Sequence, residues 1–227
     1  MNPGDWGGIY LGHGSSGSFD HTVISGAGGT TRIEGGFASF NALEVFQADL
    51  RLTNSTLENN ADGRGQPAGT RVGRGENAAS TVFVVASAPI IVGNDFVDGG
   101  SSAVSFDLNS FNAVEVSDRG RSTGLIDRVD IVGNTGPLIQ NNSLTGNAIN
   151  GLEIRGGQLA TQGVWDDVDI THVVRETIEV PNQHVFGGLR LQSDARGSLV
   201  VKFESSEDDV AGIVVGGSLL TLSLIHI

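Results

Sequence analysis

The sequence predicts an all-β solenoid of about six to seven rungs. Three observations predict it: abundant glycine, few charges or helix formers, and an internal repeat. The 227 residues include 34 Gly and only 17% charged side chains, a composition that suits short strands joined by tight turns rather than long amphipathic helices. A chain of this length can bury one sizeable core, so one or two domains are possible.

The repeat gives the elements in order. Its first unit is apolar, Asn, Ala or Gly, apolar, Glu, apolar. It occurs as Phe40-Asn41-Ala42-Leu43-Glu44-Val45, Phe111-Asn112-Ala113-Val114-Glu115-Val116 and Ile149-Asn150-Gly151-Leu152-Glu153-Ile154. Weaker copies lie at Trp6 to Leu11, Ser80 to Val84 and Phe186 to Leu191. A second unit follows, with two apolar residues five apart: Phe19/Ile24, Leu52/Leu57, Ile91/Phe96, Ile126/Ile131 and Trp165/Ile170. Rungs begin at Ile9, Leu43, Val82, Val114, Leu152 and Leu189, separated by 34, 39, 32, 38 and 37 residues, and Gly212 to Val215 begins a seventh.

The first unit is a strand that turns alternate side chains inward, so Leu43, Val45, Val114, Val116, Leu152 and Ile154 should line the core while Glu44, Glu115 and Glu153 face out. A separation of five is odd, so both members of the second unit can be buried only if a turn lies between them. Thr22, Ser55 and Asn94 suit that turn. One rung cannot bury its apolar face alone, whereas stacked rungs share a continuous core. A β-sandwich would instead favour hairpins at roughly 8–12-residue spacing. The rungs make one domain over residues 1–218, expected to be a piece of a longer protein. Residues 219–227 form an apolar tail whose last residues, Leu222 to Ile227, resemble translated adapter sequence and are expected to be non-native.

This pattern resembles the right-handed parallel β-helix repeat of the pectate-lyase-like superfamily over nearly the whole chain. Leu52 to Asn60 and Ile139 to Asn147 are similar to that family's turn, in which stacked Asn side chains form an internal ladder. Trp6 to Leu11 resembles the first rung of β-helix segments in large bacterial secreted or surface proteins. Right-handedness also follows from the bias of parallel crossovers. The resemblance implies an extracellular or cell-surface location and a polysaccharide or cell-surface glycan as partner. The fold hosts lyases, hydrolases, epimerases and adhesins, so it does not choose among them.

A formal charge of −13, from 26 acidic and 13 basic residues, argues against nucleic acid, whose affinity comes from cations on phosphates. No Cys is present for a disulfide or thiolate metal site. The apolar tail is far too short to span a bilayer, so no membrane insertion is expected. The module is expected to be monomeric within its larger chain.

The outward residues of the first unit should form a column: Tyr10, Glu44, Phe83, Glu115, Glu153 and Arg190. Glu115 and Glu153 about 5 Å apart would raise one another's pKa, as a general acid requires. Arg190 would stabilise developing negative charge. Tyr10 and Phe83 would stack on sugar rings, and Arg71, in the arginine-bearing loop from Gly63 to Gly75, would contact an anionic glycan. A second column, Asp95, Asp130 and Asp169, suits Ca²⁺, although no cofactor is required. For both columns the alternative is a solvated surface. Gly12-His13-Gly14 superficially matches a polygalacturonase-like motif, but that family's other pieces are missing. His172 and His184 read as residues of the variable loop between rungs. Asn54-Ser55-Thr56 and Asn141-Asn142-Ser143 match the glycosylation sequon but fall within the repeat's own turn. Two functions stay open. The favoured one is a non-catalytic module acting as spacer or glycan-binding surface, and the other is a polysaccharide lyase or hydrolase.

Overall fold

Alternation along the first unit has the predicted consequence: Leu43, Val45, Leu152 and Ile154 are all fully buried in the core. The computed structural model describes residues 1–33, 36–63, 71, 74–112, 118, 128–129, 133–182, 188–207, 209–216, 220–223 and 225–226. Val114, Glu115, Val116, Ile126, Asp130, Ile131 and His184 lie outside the described residues.

The chain runs through β1 (Ile9–Leu11), β2 (Ser16–Asp20), β3 (Val23–Ser25), an antiparallel hairpin of β4 (Thr30–Ile33) and β5 (Gly36–Ser39), β6 (Leu43–Phe46), β7 (Asp49–Thr53) and β8 (Thr56–Glu58). Then come β9 (Ser80–Val85), β10 (Ile90–Val92), β11 (Asp95–Val97), β12 (Ser102–Phe106), a short 3-10 helix (Leu108–Phe111), β13 (Leu138–Gln140) and β14 (Ser143–Thr145). The second half holds β15 (Ile149–Ile154), β16 (Gly157–Gln158), β17 (Gly163–Trp165), β18 (His172–Val174), β19 (Thr177–Val180), β20 (Leu189–Gln192), β21 (Leu199–Phe203), β22 (Gly212–Val215), β23 (Leu220–Ser223) and β24 (Ile225–His226). The last two fall in the apolar tail and pair with β20 and β21.

Outside the hairpin, the strands return to their sheets in threes. One eight-stranded sheet runs β1-β6-β9-β12-β15-β18-β21-β24. In the first half it is accompanied by β2-β7-β10-β13 and β3-β8-β11-β14, and in the second by β16-β19-β22 and β17-β20-β23. Their ladders are parallel throughout. The protein is thus all-β with stacked parallel sheets, an arrangement compatible with a β-helix-like solenoid.

The second unit is in the expected register for three copies: Phe19, Leu52 and Ile91 are neighbours on one sheet, and Ile24, Leu57 and Phe96 on the next. The fourth pair is Ile139/Leu144, in the place assigned to Ile126/Ile131. Between the two strands sits a left-handed residue, with φ of 51° at His21, 49° at Asn54, 69° at Gly93 and 55° at Asn141. That conformation turns the chain within one residue, and Asn and Gly accept it most readily. Both sequons fall on this turn.

Side chains in the turn link one set of strands to the next. Ser55 N–H donates to Asn94 Oδ1 at 2.9 Å, and Asn94 N–H to Asn142 Oδ1 at 3.0 Å. Asn94 Nδ2 donates to the Leu52 carbonyl at 2.9 Å, and Asn142 Nδ2 to that of Ile91 at 2.8 Å. These bonds satisfy amides that the turn removes from the ladders.

Two rung starts need correction. Val82 pairs with Val104, not with a residue near Val114, and Leu152 pairs with His172 rather than with Leu189. The strands recur less evenly than the repeat implied, because a long insertion separates β12 from β13 while β18 follows β15 closely. Phe111, which heads the motif copy at Val114, closes the 3-10 helix and is fully buried. Its ring centroid is 5.3 Å from that of Phe106 and 5.9 Å from that of Trp165. His172, expected in a loop, is a core residue stacked on Trp165 at 5.6 Å.

Candidate functional site

Register along the eight-stranded sheet fixes which residues share its outer face: Tyr10, Glu44, Phe83, Ser105, Glu153, Val173 and Lys202 are successive neighbours. Ser105 stands where Glu115 was expected and Val173 where Arg190 was. Arg190 lies on β20, in another sheet, between Val164 and Thr221. Glu153 and Arg190 therefore do not share a column, and the Glu115 assignment lies outside the described residues.

The N-terminal half of this face is covered by the chain itself. Glu44 faces away from Leu43 and Val45 but is only 2% exposed, because Arg71 forms a buried ion pair with its carboxylate. Arg71 Nε also donates to the Ser39 carbonyl at 3.1 Å. Asn41 Nδ2 donates to the carbonyls of Ala78 at 2.9 Å and Ser80 at 2.7 Å, fastening the segment down. The Arg74 guanidinium lies 3.9 Å from the Phe40 ring centroid and 5.3 Å from that of Tyr10, and burial lowers its pKa. Tyr10 is half-buried beneath it. Arg71 is thus not a free loop cation, and Tyr10 is not an open platform.

Phe83 is likewise covered. Arg155 lies 4.2 Å above its ring and donates to Ser105 Oγ at 2.8 Å and to the Val84 carbonyl at 2.6 Å. Burial lowers the Arg155 pKa to about 10, opposed by Asp107, Glu153 and Glu176.

Past Arg155 the face opens into two hollows. One, of about 240 Å³, is lined by Ser101, Glu153, Arg155, Arg175, Glu176 and Asp209 among others. The other, of about 400 Å³, is lined by Asn150, Thr171, Val173, Lys202, Phe203 and Glu204 among others. A chain of charges joins the two linings: Arg175 Nη1 is 3.8 Å from Glu153 Oε1, and Arg175 Nε is 3.5 Å from Glu204 Oε2. Burial raises the Glu153 pKa, with Ser102, Arg175 and Arg155 opposing. Among the described residues of the expected catalytic set, Glu153 is in these hollows and Arg190 is not. Arg175 and Glu204, just past the ends of β18 and β21, and Lys202 on β21 are not reached by the repeat, which reads these segments as loop or as the far end of a rung. The available signal was Lys202 between apolar Val201 and Phe203, which marks 202 as an outward position.

The aspartates have a different task. Asp95 has Thr56 and Ser143 as neighbours in register. Asp169 Oδ2 accepts from Asn141 N–H at 2.6 Å, Asp167 Oδ1 from Ile139 N–H at 2.9 Å and Asp166 Oδ2 from Thr135 N–H at 3.1 Å. These three carboxylates occupy the free edge beside β13, where a further strand would otherwise pair. Asp130, the middle member of the expected Asp95/Asp130/Asp169 column, lies outside the described residues; among those described, no group of three or more His, Cys, Asp or Glu could hold a metal ion. Burial raises the Asp166 pKa to about 6 and that of Asp167 well above the usual carboxylate range.

Compared with protein-family models, curated proteins and solved structures, the chain finds no match. The class that can be stated is architectural: an all-β protein of stacked parallel sheets, with an open, charge-lined face at one end of its largest sheet. Among the described residues no helix is long and apolar enough to cross a membrane.

Proposed function

We propose that the chain is a right-handed parallel β-helix module of a secreted or cell-surface bacterial protein, and that it binds glycan, without catalysis, on the outer face of its eight-stranded sheet. The stacked parallel ladders and the Ser55–Asn94–Asn142 links support the coil. The binding role rests on one observation: the arginines of the open face are already engaged by the protein's own acceptors. Arg155 is held by Ser105, Val84 and Phe83, and Arg175 stands between Glu153 and Glu204. Such groups make a fixed, polar, sugar-sized platform. A lyase needs cations free to meet charge that develops in the transition state. The module requires no cofactor.

A second reading, a polysaccharide lyase or hydrolase, draws on Glu153, whose burial favours the protonated form that a general acid uses. One experiment separates the two. The protein is passed over immobilised neutral and acidic polysaccharides, and the same polysaccharides are assayed for unsaturated and reducing-end products, with and without Ca²⁺. Retention without product supports the module. Product formation that Glu153→Gln abolishes makes the protein an enzyme, and absence of retention on every glycan removes the binding role.

A further inference from the structure

We infer that the open edge of β14 takes an extended peptide segment by parallel strand addition, and that this segment carries Asn or Ser two residues before an apolar residue. The inference is independent of the glycan reading. β14 is the last strand of the sheet β3-β8-β11-β14. The opposite end of that sheet is fastened by the chain's first residues: Trp6 Nε1 donates to the Ser25 carbonyl at 2.8 Å, and Asn59 Nδ2 to the Met1 carbonyl at 2.6 Å. Beyond β14 the chain takes a short cut instead. Asp169 holds Asn141 N–H, and His172 already pairs with Leu152. Between these two contacts lie residues 142–151 on one side and only residues 170–171 on the other. Among the described residues no strand pairs with β14 on that side. Ala148 to Asn150, part of the same stretch, line the hollow of about 400 Å³, which leaves room for a segment that runs on past Thr145.

The strands already in this sheet define what fits. Ser143 N–H donates to the Asn94 carbonyl at 2.8 Å and Asp98 N–H to that of Thr145 at 2.9 Å, so Ser143 and Thr145 face β11. Alternate residues of a strand bond to opposite neighbours, which turns the Leu144 N–H and carbonyl towards the open side. In the turn ahead of each strand, Thr22 N–H meets Ser55 Oγ at 3.0 Å, Ser55 N–H meets Asn94 Oδ1, and Asn94 N–H meets Asn142 Oδ1. Asn142 N–H, next in this series, meets no acceptor among the described residues. Inside the turn the column runs Ile24, Leu57, Phe96 and Leu144; the first three are buried and Leu144 is half-buried. Ser55-Thr56-Leu57 and Asn94-Asp95-Phe96 each answer the strand before them with the same spacing. A ligand set in that register brings an Asn or Ser side chain to Asn142 N–H, its main chain to Leu144, and an apolar side chain over the Leu144 side chain. Main-chain bonds at a sheet edge supply affinity for an added strand, and the side-chain positions supply selection.

The test uses the intact 227-residue chain and a synthetic peptide, blocked at both ends, with the sequence of Gly93 to Gly99. Its Asn94 and Phe96 have the required spacing. The peptide is titrated by NMR and amide hydrogen exchange is followed residue by residue. The expected result is saturable binding with a Kd below about 1 mM. At saturation, exchange at the Asn142 and Leu144 amides should slow by at least about tenfold. Asn94→Ala in the peptide should weaken binding by about tenfold, and Phe96→Asp in the peptide should abolish it. In the protein, Leu144→Glu should abolish binding and Leu144→Met should retain it. The peptide changes and the exchange rates carry the test should Leu144→Glu not fold. No binding at about 5 mM peptide would overturn the inference. So would binding that leaves the Asn142 and Leu144 amides unprotected, or that ignores both peptide changes. Protection of the Leu144 amide that grows with protein concentration, without peptide, would make a second copy of the chain the occupant and overturn the peptide assignment.

Discussion

At the scale of single residues, the most informative side chain is His172. Its ring is fully buried between aromatic neighbours, with Nδ1 3.3 Å from the Ile170 carbonyl and Nε2 without a hydrogen-bond partner. Nδ1 therefore carries the proton and the ring is neutral. Burial lowers its pKa from 6.5 to about 4. A depressed folded-state value means that the neutral ring's stabilisation is present above pH 6.5 and is lost as pH falls towards 4. Over that interval the loss is worth roughly 3 kcal/mol. His172→Phe keeps a ring against Trp165 but cannot titrate. Chemical denaturation from pH 7 down to about 4 should therefore show a shallower decline for the variant than for the parent. Equal slopes would show that His172 is solvated or protonated in the folded state. In the sequence His172 looked like a loop residue because a polar side chain interrupts Φ-x-Φ. Its burial depends on the aromatic walls supplied by Trp165 and by Phe111, the second of which is distant in sequence.

At the scale of elements, the turn between the second and third strands shows how much the repeat could disclose. Asn94 is fully buried, accepts from Ser55 N–H and donates to the Leu52 carbonyl. Asn94→Ala leaves both buried backbone groups unsatisfied, each at about 1–3 kcal/mol. The expected destabilisation is about 2–6 kcal/mol by urea denaturation, and a change within about 0.5 kcal/mol would mean that water replaces the amide. These turns were legible because the odd spacing of Leu52/Leu57 and Ile91/Phe96 admits no other arrangement. The strand Ser102–Phe106 was not legible, since its outward position holds Ser105 rather than Glu and the nearby Phe111-Asn112 imitates the motif. The site inherited that slip. Glu153 was placed on the outer face because its own strand carries the full motif. Its neighbours Arg175 and Glu204 belong to coils whose lengths depart from the repeat.

For the whole molecule, the main heterogeneity is the change of sheets midway along the stack. β13 and β14 end two sheets, β16 and β17 begin two others, and only the eight-stranded sheet continues past the change. Asp166, Asp167 and Asp169 close the exposed edge at this point. Asp166 also leaves Oδ1 buried without a partner. With its pKa raised from 3.8 to about 6, the stability linked to Asp166 is present below pH 3.8 and is lost as pH rises through 6. This trend opposes that of His172. Asp166→Asn keeps an acceptor for Thr135 N–H without the buried charge, so it should be more stable than the parent at pH 7, with the advantage shrinking towards pH 4. Lower stability of the variant at pH 7 would show that the charged form is the one the fold requires.

The same junction gives the stack a mechanical weak point. In the first half successive sets of strands are tied by three parallel ladders, but at the step past β12 the pairing of β12 with β15 is the one such ladder among the described residues. Among the described residues it is assisted by the aspartate bonds, by the bridge from Asn112 to Gly163 and by Asn109, which donates to the Gln158 carbonyl and accepts from Ala160 N–H. A pull along the stacking direction would be shared among three seams on one side of this point and concentrated on one at the point itself. The coils should therefore part there first, separating the half that buries Glu44 and Arg71 from the half that carries the open face.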